Sequence, residues 1–220
     1  MSKNIIIFFG PPGSGKGTQA EMLAKFTDWK KISTGDLFRA EILAKTKLGR
    51  LVDKYIKAGT LVPDKITLRL VEYGLKQKAS GFIFDGFPRN RRQLNDLLAI
   101  FKKAFKKNDN VYAIEVAVSD KEVKQRLSQR RMCACGKVYH LAYNPPINRG
   151  ICDICGGKIF IRNDDKPKVI THRLKFYHKE SEPIISYWQK QNKLIKINGE
   201  QPIKKIHEEI MDKLKKLKLV

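Results

Sequence analysis

The residues with the most specific chemistry run Gly10-Pro11-Pro12-Gly13-Ser14-Gly15-Lys16-Gly17-Thr18. They follow the apolar run Ile5 to Phe9, which reads as a buried parallel strand stopped by Gly-Pro-Pro. Glycines at this spacing let backbone N–H groups converge on an anion without Cβ obstruction. Lys16 adds a point charge for terminal phosphates. The helix opened by Thr18-Gln19-Ala20-Glu21 aims its N-terminal dipole at the same anion. Together they predict a phosphate-binding P-loop. Many such loops carry Ser or Thr where this chain has Gly17, its hydroxyl coming one place later at Thr18. Direct ligation of magnesium by a loop hydroxyl is therefore not expected.

A second set is the cysteines. Cys133-x-Cys135 and Cys152-x-x-Cys155 stand 16 residues apart. The first residues do not read as a secretory signal, and in the cytosolic protein this leads us to expect, two such pairs point to a tetrahedral zinc ion rather than disulfides. The glycines beside Cys135 and Cys155 suit tight knuckle turns. One residue rather than two separates the first pair, and a metal-free module with reduced thiols is the alternative. Four thiolates leave no open position, so a catalytic zinc is not expected. None of the four histidines has metal-motif spacing, and His140 reads as a packing or hydrogen-bonding residue.

Alternating elements must position these groups. Strands are expected at 4–9, 81–85, 111–116 and 193–197, with helices at 15–26, 48–58, from Leu61 to about Lys78, and at about 120–130. A further helix starts near Asp36, and helical pattern returns from Ile170. The order implies βαβ units around a parallel sheet. Residues 132–163 hold every cysteine and lack helical period, as an inserted mini-module would. Ile203, Ile206, Ile210, Leu214 and Leu217 mark a last amphipathic helix packing on the core. Phe101 and Phe105, each followed by two lysines, read as core contacts. Asp85 ends an apolar strand, where an acid can orient magnesium and its waters or simply stabilise a loop.

With Asp85-Gly86-Phe87-Pro88-Arg89 in view, the chain resembles the adenylate kinases of the long form, which carry an inserted lid. The likeness covers nearly the whole sequence. It rests on the Gly-Lys-Gly-Thr loop, Ser33-Thr34-Gly35-Asp36, Asp85 to Arg89 with Gln93, Arg130-Arg131, and Arg162-Asn163-Asp164-Asp165 followed by Arg173. The resemblance implies a P-loop NTPase-type α/β core at 1–32, 63–125 and 171–220. It also implies an acceptor-binding segment at 33–62 and a lid at 126–170. The implied reaction moves a phosphoryl group from Mg-ATP to AMP, giving two ADP.

Such a reaction gathers many anionic oxygens, and catalysis is mostly positioning and charge stabilisation. Guanidinium forks suit that task, and six of the twelve arginines fall on the family's phosphate clamp. The resemblance gives Arg39 and Arg89 to the monophosphate, Arg126 and Arg130 to the triphosphate, and Arg162 and Arg173 to the transferring group. It gives Gly13 to Thr18, with Lys16, to the donor phosphates, and Val138, Tyr139 and Gln201 to the donor adenosine. Thr34, Gly35, Thr60, Leu61, Val62, Gly86 to Pro88 and Gln93 fall to the acceptor. Lys16, Asp85, Arg89, Arg130, Arg162 and Arg173 are the expected catalytic set. Asp164 and Asp165 pair with arginines or act in the chemistry. Zinc-bearing lids occur in the family, in agreement with the cysteine spacing.

The 45 Lys+Arg residues against 22 Asp+Glu give a formal charge of +23, which attracts polyanions. Runs such as Lys102-Lys103 and Lys106-Lys107 read as solvated helix faces. Two other functions compete: a kinase for another nucleoside monophosphate, and a basic nucleic-acid-binding protein with a vestigial nucleotide site. The second needs clustered charge with interleaved aromatics, whereas these lysines are dispersed. No apolar stretch nears the ~20 residues of a membrane span. A cytoplasmic monomer with nucleotide partners, and no specific nucleic-acid or membrane partner, is expected.

Overall fold

The computed structural model describes residues 3–106 and 109–220, so Lys107 of the charge run lies outside the described residues. Five parallel strands form the central sheet in the order β2-β3-β1-β4-β8: β1 Asn4–Phe9, β2 Lys30–Ser33, β3 Gly81–Asp85, β4 Asn110–Ala117 and β8 Leu194–Asn198. The apolar run of β1 is buried throughout because both faces are covered, as parallel sheets require. Its side chains alternate between two cores. Ile5, Ile7 and Phe9 join Phe82, Phe84, Leu97, Phe101 and Trp188 on one face. Ile6 and Phe8 join Ile83, Ala20, Leu23, Ile206, Ile210 and Leu214 on the other. Helices α5 (Arg91–Ala104) and α8 (Glu182–Lys190) therefore cover the first face, and α1 (Lys16–Thr27) and α9 (Ile203–Lys216) the second. Phe101 is buried and Phe105 packs beside it, as their spacing implied.

The connections from β1 to β2 and from β3 to β4 leave the sheet on opposite sides of β1, so the P-loop emerges at a topological switch point. Crevices at the carboxyl ends of such strands are where open α/β sheets bind ligands. Register sets Phe8 beside Asp85, which brings the loop and the end of β3 together.

Two insertions flank this crevice. Residues 34–62 hold α2 (Thr34–Leu43) and α3 (Lys47–Ala58), followed by α4 (Asp64–Leu75), around Phe38, Val52 and Val62. Between α6 (Asp120–Gln129) and α7 (Pro167–Phe176) the chain makes a small antiparallel sheet. It comprises β5 (Arg130–Cys133), β6 (Val138–His140) and β7 (Ile159–Phe160) in the order β6-β5-β7. A π-helical turn, Tyr177–Ser181, joins α7 to α8.

The expected strands and helices are present with ends moved by a few residues. The helix from Leu61 starts at Asp64 and stops at Leu75, and the pattern from Ile170 begins at Pro167. Four strands were not foreseen: β2 in the central sheet, and β5, β6 and β7 within the cysteine-bearing insertion. The start near Asp36 is capped from three residues earlier, where the Ser33 side-chain oxygen accepts a bond from the Asp36 N–H at 3.4 Å. Among the described residues, no helix is long and apolar enough to cross a membrane.

Candidate active site

The cleft opens above the P-loop and is lined by Lys16, Thr34, Gly35, Arg39, Thr60, Leu61, Val62, Gly86, Pro88, Arg89, Gln93 and Arg173. Residues from Lys16 to Arg173 thus meet at one place. Gly15 holds φ +92°, the left-handed conformation that turns the loop into α1. At Gly17 close approach matters instead: an added Cβ would lie 3.1 Å from Asp85 Oδ2. A Ser or Thr there would crowd the carboxylate, which gives the unusual glycine its reason. Asp85 is steadied by the Ser33 hydroxyl, donating to Oδ2 at 3.2 Å.

Cations gather in and beside the cleft: Lys16, Arg39, Arg89 and Arg173 line it, while Arg130 and Arg162 lie outside its lining. The Lys16 ammonium donates to the Pro11 carbonyl at 3.0 Å, and Arg89 Nε donates to the Gly86 carbonyl at 2.6 Å. Arg162 is almost wholly buried, its Nε 3.2 Å from Met132 Sδ. Among the described residues, none of these three has a carboxylate oxygen within 4 Å. Arg130 and Arg173 differ. Arg130 grips the fully buried Asp165 carboxylate in a two-pronged contact at 2.8 and 2.5 Å. Arg173 Nη1 lies 3.0 Å from Asp164 Oδ2 and 3.4 Å from Asp165 Oδ1. Asp164 and Asp165 are therefore arginine-pairing residues. Arg39 pairs with Asp36 at 2.6 Å.

The unbalanced charge has a titration signature. Burial, with Arg89, Arg173 and Arg130 nearby, pushes the Lys16 ammonium down to about 7 against the pull of Asp85. Burial likewise lowers Arg89 and Arg162. Guanidinium groups do not deprotonate in proteins, so an anion is what relieves them. The unfolded lysine keeps its ordinary value, so the unfolded chain holds more protons between about pH 7 and 10.5. Stability of the nucleotide-free protein therefore rises with pH across that window through this group. Binding a polyphosphate restores the charge. Calorimetry at pH 8 in buffers of different ionisation enthalpy is expected to show proton uptake on ATP binding, an uptake lost in Lys16→Met.

On the acceptor side, Gln93 is held at both ends. Its Oε1 accepts the Arg89 N–H at 2.8 Å, and its Nε2 donates to Asp64 Oδ1 at 2.7 Å. Each amide atom keeps capacity for one further bond. The buried Thr34 hydroxyl donates to the Gly86 carbonyl at 3.0 Å. The Phe87 side chain lies in the sheet core and not in the cleft. Asp64 and Ser181, whose hydroxyl donates to the Arg89 carbonyl at 2.9 Å, also hold the cleft residues in place. Neither carried a sequence signal, because they act through partners 29 and 92 positions away.

On the donor side, Arg126 ties three segments together. It contacts Glu122 at 2.7 Å, the Ser14 carbonyl at 3.4 Å and the Gly199 carbonyl at 2.9 Å. Gln201 donates to the Asn198 carbonyl nearby. Thr18 and Val138 are exposed. Tyr139 requires a correction at the side chain: its ring is buried, and its hydroxyl donates to Cys152 Sγ at 3.3 Å while accepting the Asp153 N–H at 2.8 Å. It supports the cysteine cluster and leaves only backbone for a nucleotide. His140 accepts the Ala142 and Tyr143 N–H groups and stacks on Tyr143, a local structural role.

The four cysteines are free thiols whose sulfurs all lie within 4.8 Å of one another. Cys133–Cys155 is 3.4 Å and Cys135–Cys152 is 3.6 Å. Tetrahedral zinc with ~2.3 Å bonds sets sulfurs about 3.8 Å apart, so the donor set and its spacing fit that ion. The short first pair is accommodated by a turn in which the Gly136 N–H donates to the Cys133 carbonyl.

The model of the family described as "Adenylate kinase" matches residues 8–193. An adenylate kinase of Methanosarcina barkeri is 43% identical over 213 residues, covering 96% of this chain and 98% of that protein. One from Streptomyces avermitilis is 41% identical over 215 residues, covering 96% and 97%. One from Thermosipho africanus is 40% identical over 210 residues, covering 94% and 97%. The chain belongs to the adenylate kinase family. It is a phosphotransferase, and the parallel sheet with its P-loop is that family's α/β core. In this adenylate kinase, Lys16 and Arg89 line the cleft without a carboxylate partner within 4 Å among the described residues, whereas Arg39 and Arg173 are paired.

Proposed function

We propose that this adenylate kinase transfers the terminal phosphoryl group of Mg-ATP to AMP, giving two ADP, in the cleft between the P-loop and Arg89. One observation carries the assignment: Lys16, Arg89 and Arg162 are partly or wholly buried cations with no carboxylate within 4 Å among the described residues. Such charges are costly unless a partner arrives, and phosphate is the partner their geometry suits.

The loop from Gly13 to Thr18 cradles the donor phosphates, with Lys16 following charge into the transition state. Arg126, Arg130, Val138, the Tyr139 backbone and Gln201 form the donor side. Thr34, Gly35, Arg39, Thr60, Leu61, Val62, Gly86, Pro88, Arg89 and Gln93 receive AMP, with Phe87 supporting that strand end from the core. Arg162 and Arg173 reach the transferring group. Bound magnesium would neutralise charge between the donor phosphates, and Asp85 is the carboxylate to orient its waters. The acceptor is already an ionised phosphate, so no general base is needed. Residues 126–170 act as a lid over the core, residues 33–62 as the acceptor segment, and closure excludes water. The enzyme works as a cytoplasmic monomer on free nucleotides.

Rates with Mg-ATP across AMP, CMP, UMP and GMP test the acceptor, with AMP expected to lead. Gln93→Leu is expected to lower kcat/KM for AMP by roughly ten- to a hundredfold, since one bonded amide edge is lost. A preference for another monophosphate overturns the acceptor assignment. Zinc in the lid is structural. Elemental analysis is expected to find one zinc per chain, and chelation to lower the melting temperature without the ion joining the chemistry.

A further inference from the structure

The C-terminal end of α3 meets α7 along a narrow seam. Gly59, the residue after α3, holds φ +68°. A Cβ on it would lie 2.7 Å from Val169 Cγ1 and 3.0 Å from Arg173 Cγ. One residue back along both segments, His172 Nδ1 is 3.2 Å from the Ala58 carbonyl oxygen. A carbonyl only accepts, so Nδ1 carries the proton and donates. Two successive pairs, Ala58–His172 and Gly59–Arg173, thus face each other. The Ala58 carbonyl belongs to the last turn of α3, whose carbonyls lack partners within the helix. His172 therefore supplies its cap from a different element.

The two sides of the seam have different jobs. Gly59 runs directly into Thr60, Leu61 and Val62, which line the acceptor half of the cleft. On the other side stands the stem of Arg173, whose head lies among Asp164 and Asp165. We propose that Gly59 and His172 are positioning residues, fixing Arg173 against the acceptor-binding wall so that an occupied acceptor site sets the clamp arginine for transfer. The proposal rests on the assignment of Arg173 to the transferring phosphoryl group. Only hydrogen fits at Gly59: a methyl there must push Val169 or the Arg173 stem away, and the guanidinium moves with the stem. An arginine displaced by an ångström still pairs with its aspartates but no longer meets the transferring group at its transition-state position. Its loss therefore falls on kcat rather than on nucleotide affinity.

Steady-state kinetics of the full chain test this with Gly59→Ala, Val169→Ala, the double variant, His172→Leu, His172→Asn and Arg173→Ala. Gly59→Ala is expected to lower kcat at least tenfold with KM for AMP changed less than threefold. Val169→Ala alone is expected to stay within twofold of the parent. The double variant is expected to recover part of the lost kcat, because removing the 2.7 Å contact with Val169 Cγ1 lets the methyl shift away from the Arg173 stem. His172→Leu lowers kcat severalfold, whereas His172→Asn, which keeps a donor, retains it. A purely local backbone strain at Gly59 would lower the melting temperature and would not be relieved by shortening Val169. An unrescued double variant, or a Gly59→Ala enzyme with parental kcat, overturns the seam. Should Gly59→Ala fold poorly, the His172 pair decides alone: equal kcat in the leucine and asparagine variants overturns it. If Arg173→Ala keeps the parental kcat, the underlying assignment of Arg173 fails instead.

Discussion

Replacing Lys16 by methionine is expected to lower kcat by at least about a thousandfold while raising the melting temperature of the nucleotide-free protein. Removing one preorganised donor from a developing oxyanion costs about 10²–10³ in rate, and here the donor is a full charge among transferring oxygens. A thousandfold is about 4 kcal/mol of transition-state stabilisation. The opposite sign on stability comes from the same residue. In the empty cleft the ammonium is half-buried, faces Arg89, Arg130 and Arg173, and is held down to about 7 by that setting. Methionine keeps the length and removes the repulsion. The experiment measures kcat in a coupled assay and the melting temperature without nucleotide. Parental activity removes Lys16 from the chemistry. A lowered melting temperature instead makes the Lys16–Pro11 bond the dominant contribution.

The same opposition explains why much of the site was legible in the sequence. A phosphate cradle needs glycines at fixed offsets and a lysine among them, so its signature is local. The stretch from Asp85 to Arg89 is likewise contiguous, and the arginines stood out because they are few among many lysines. The sheet was legible where strands are buried on both faces, as in β1, β3 and β4. Strand β2 was not, because four residues opening with Lys30-Lys31 at the sheet edge show neither an apolar run nor a full alternation. Long-range partners were equally silent. Nothing near Asp64 announces Gln93, and nothing near Ser181 announces Arg89. Tyr139 shows the limit from the other side: it sits where the resemblance expects it, yet its ring turns toward Cys152.

Asp165→Ala is expected to have the largest effect on stability. The carboxylate is fully buried, receives two bonds from Arg130, and lies 3.4 Å from Arg173. Buried ion pairs add little net stability when intact, but removing one partner leaves an uncompensated charge costing about 3–5 kcal/mol. The cost falls at the upper end here, since two guanidiniums lose a partner in a cleft already rich in cations. For a chain of this size that is a drop of roughly 10–20 °C in melting temperature. Nucleotide changes the sum, because phosphate oxygens can take over the charge balance that the carboxylate supplied. The loss is therefore expected to be smaller in protein saturated with Mg-ATP than in empty protein, beyond the ordinary gain that a ligand gives by mass action to parent and variant alike. Thermal melts of parent and variant, each with and without Mg-ATP, separate these contributions. An equal loss in both states would make Asp165 a packing residue, and a loss confined to the empty protein would make it the counter-ion that holds the arginines until substrate arrives.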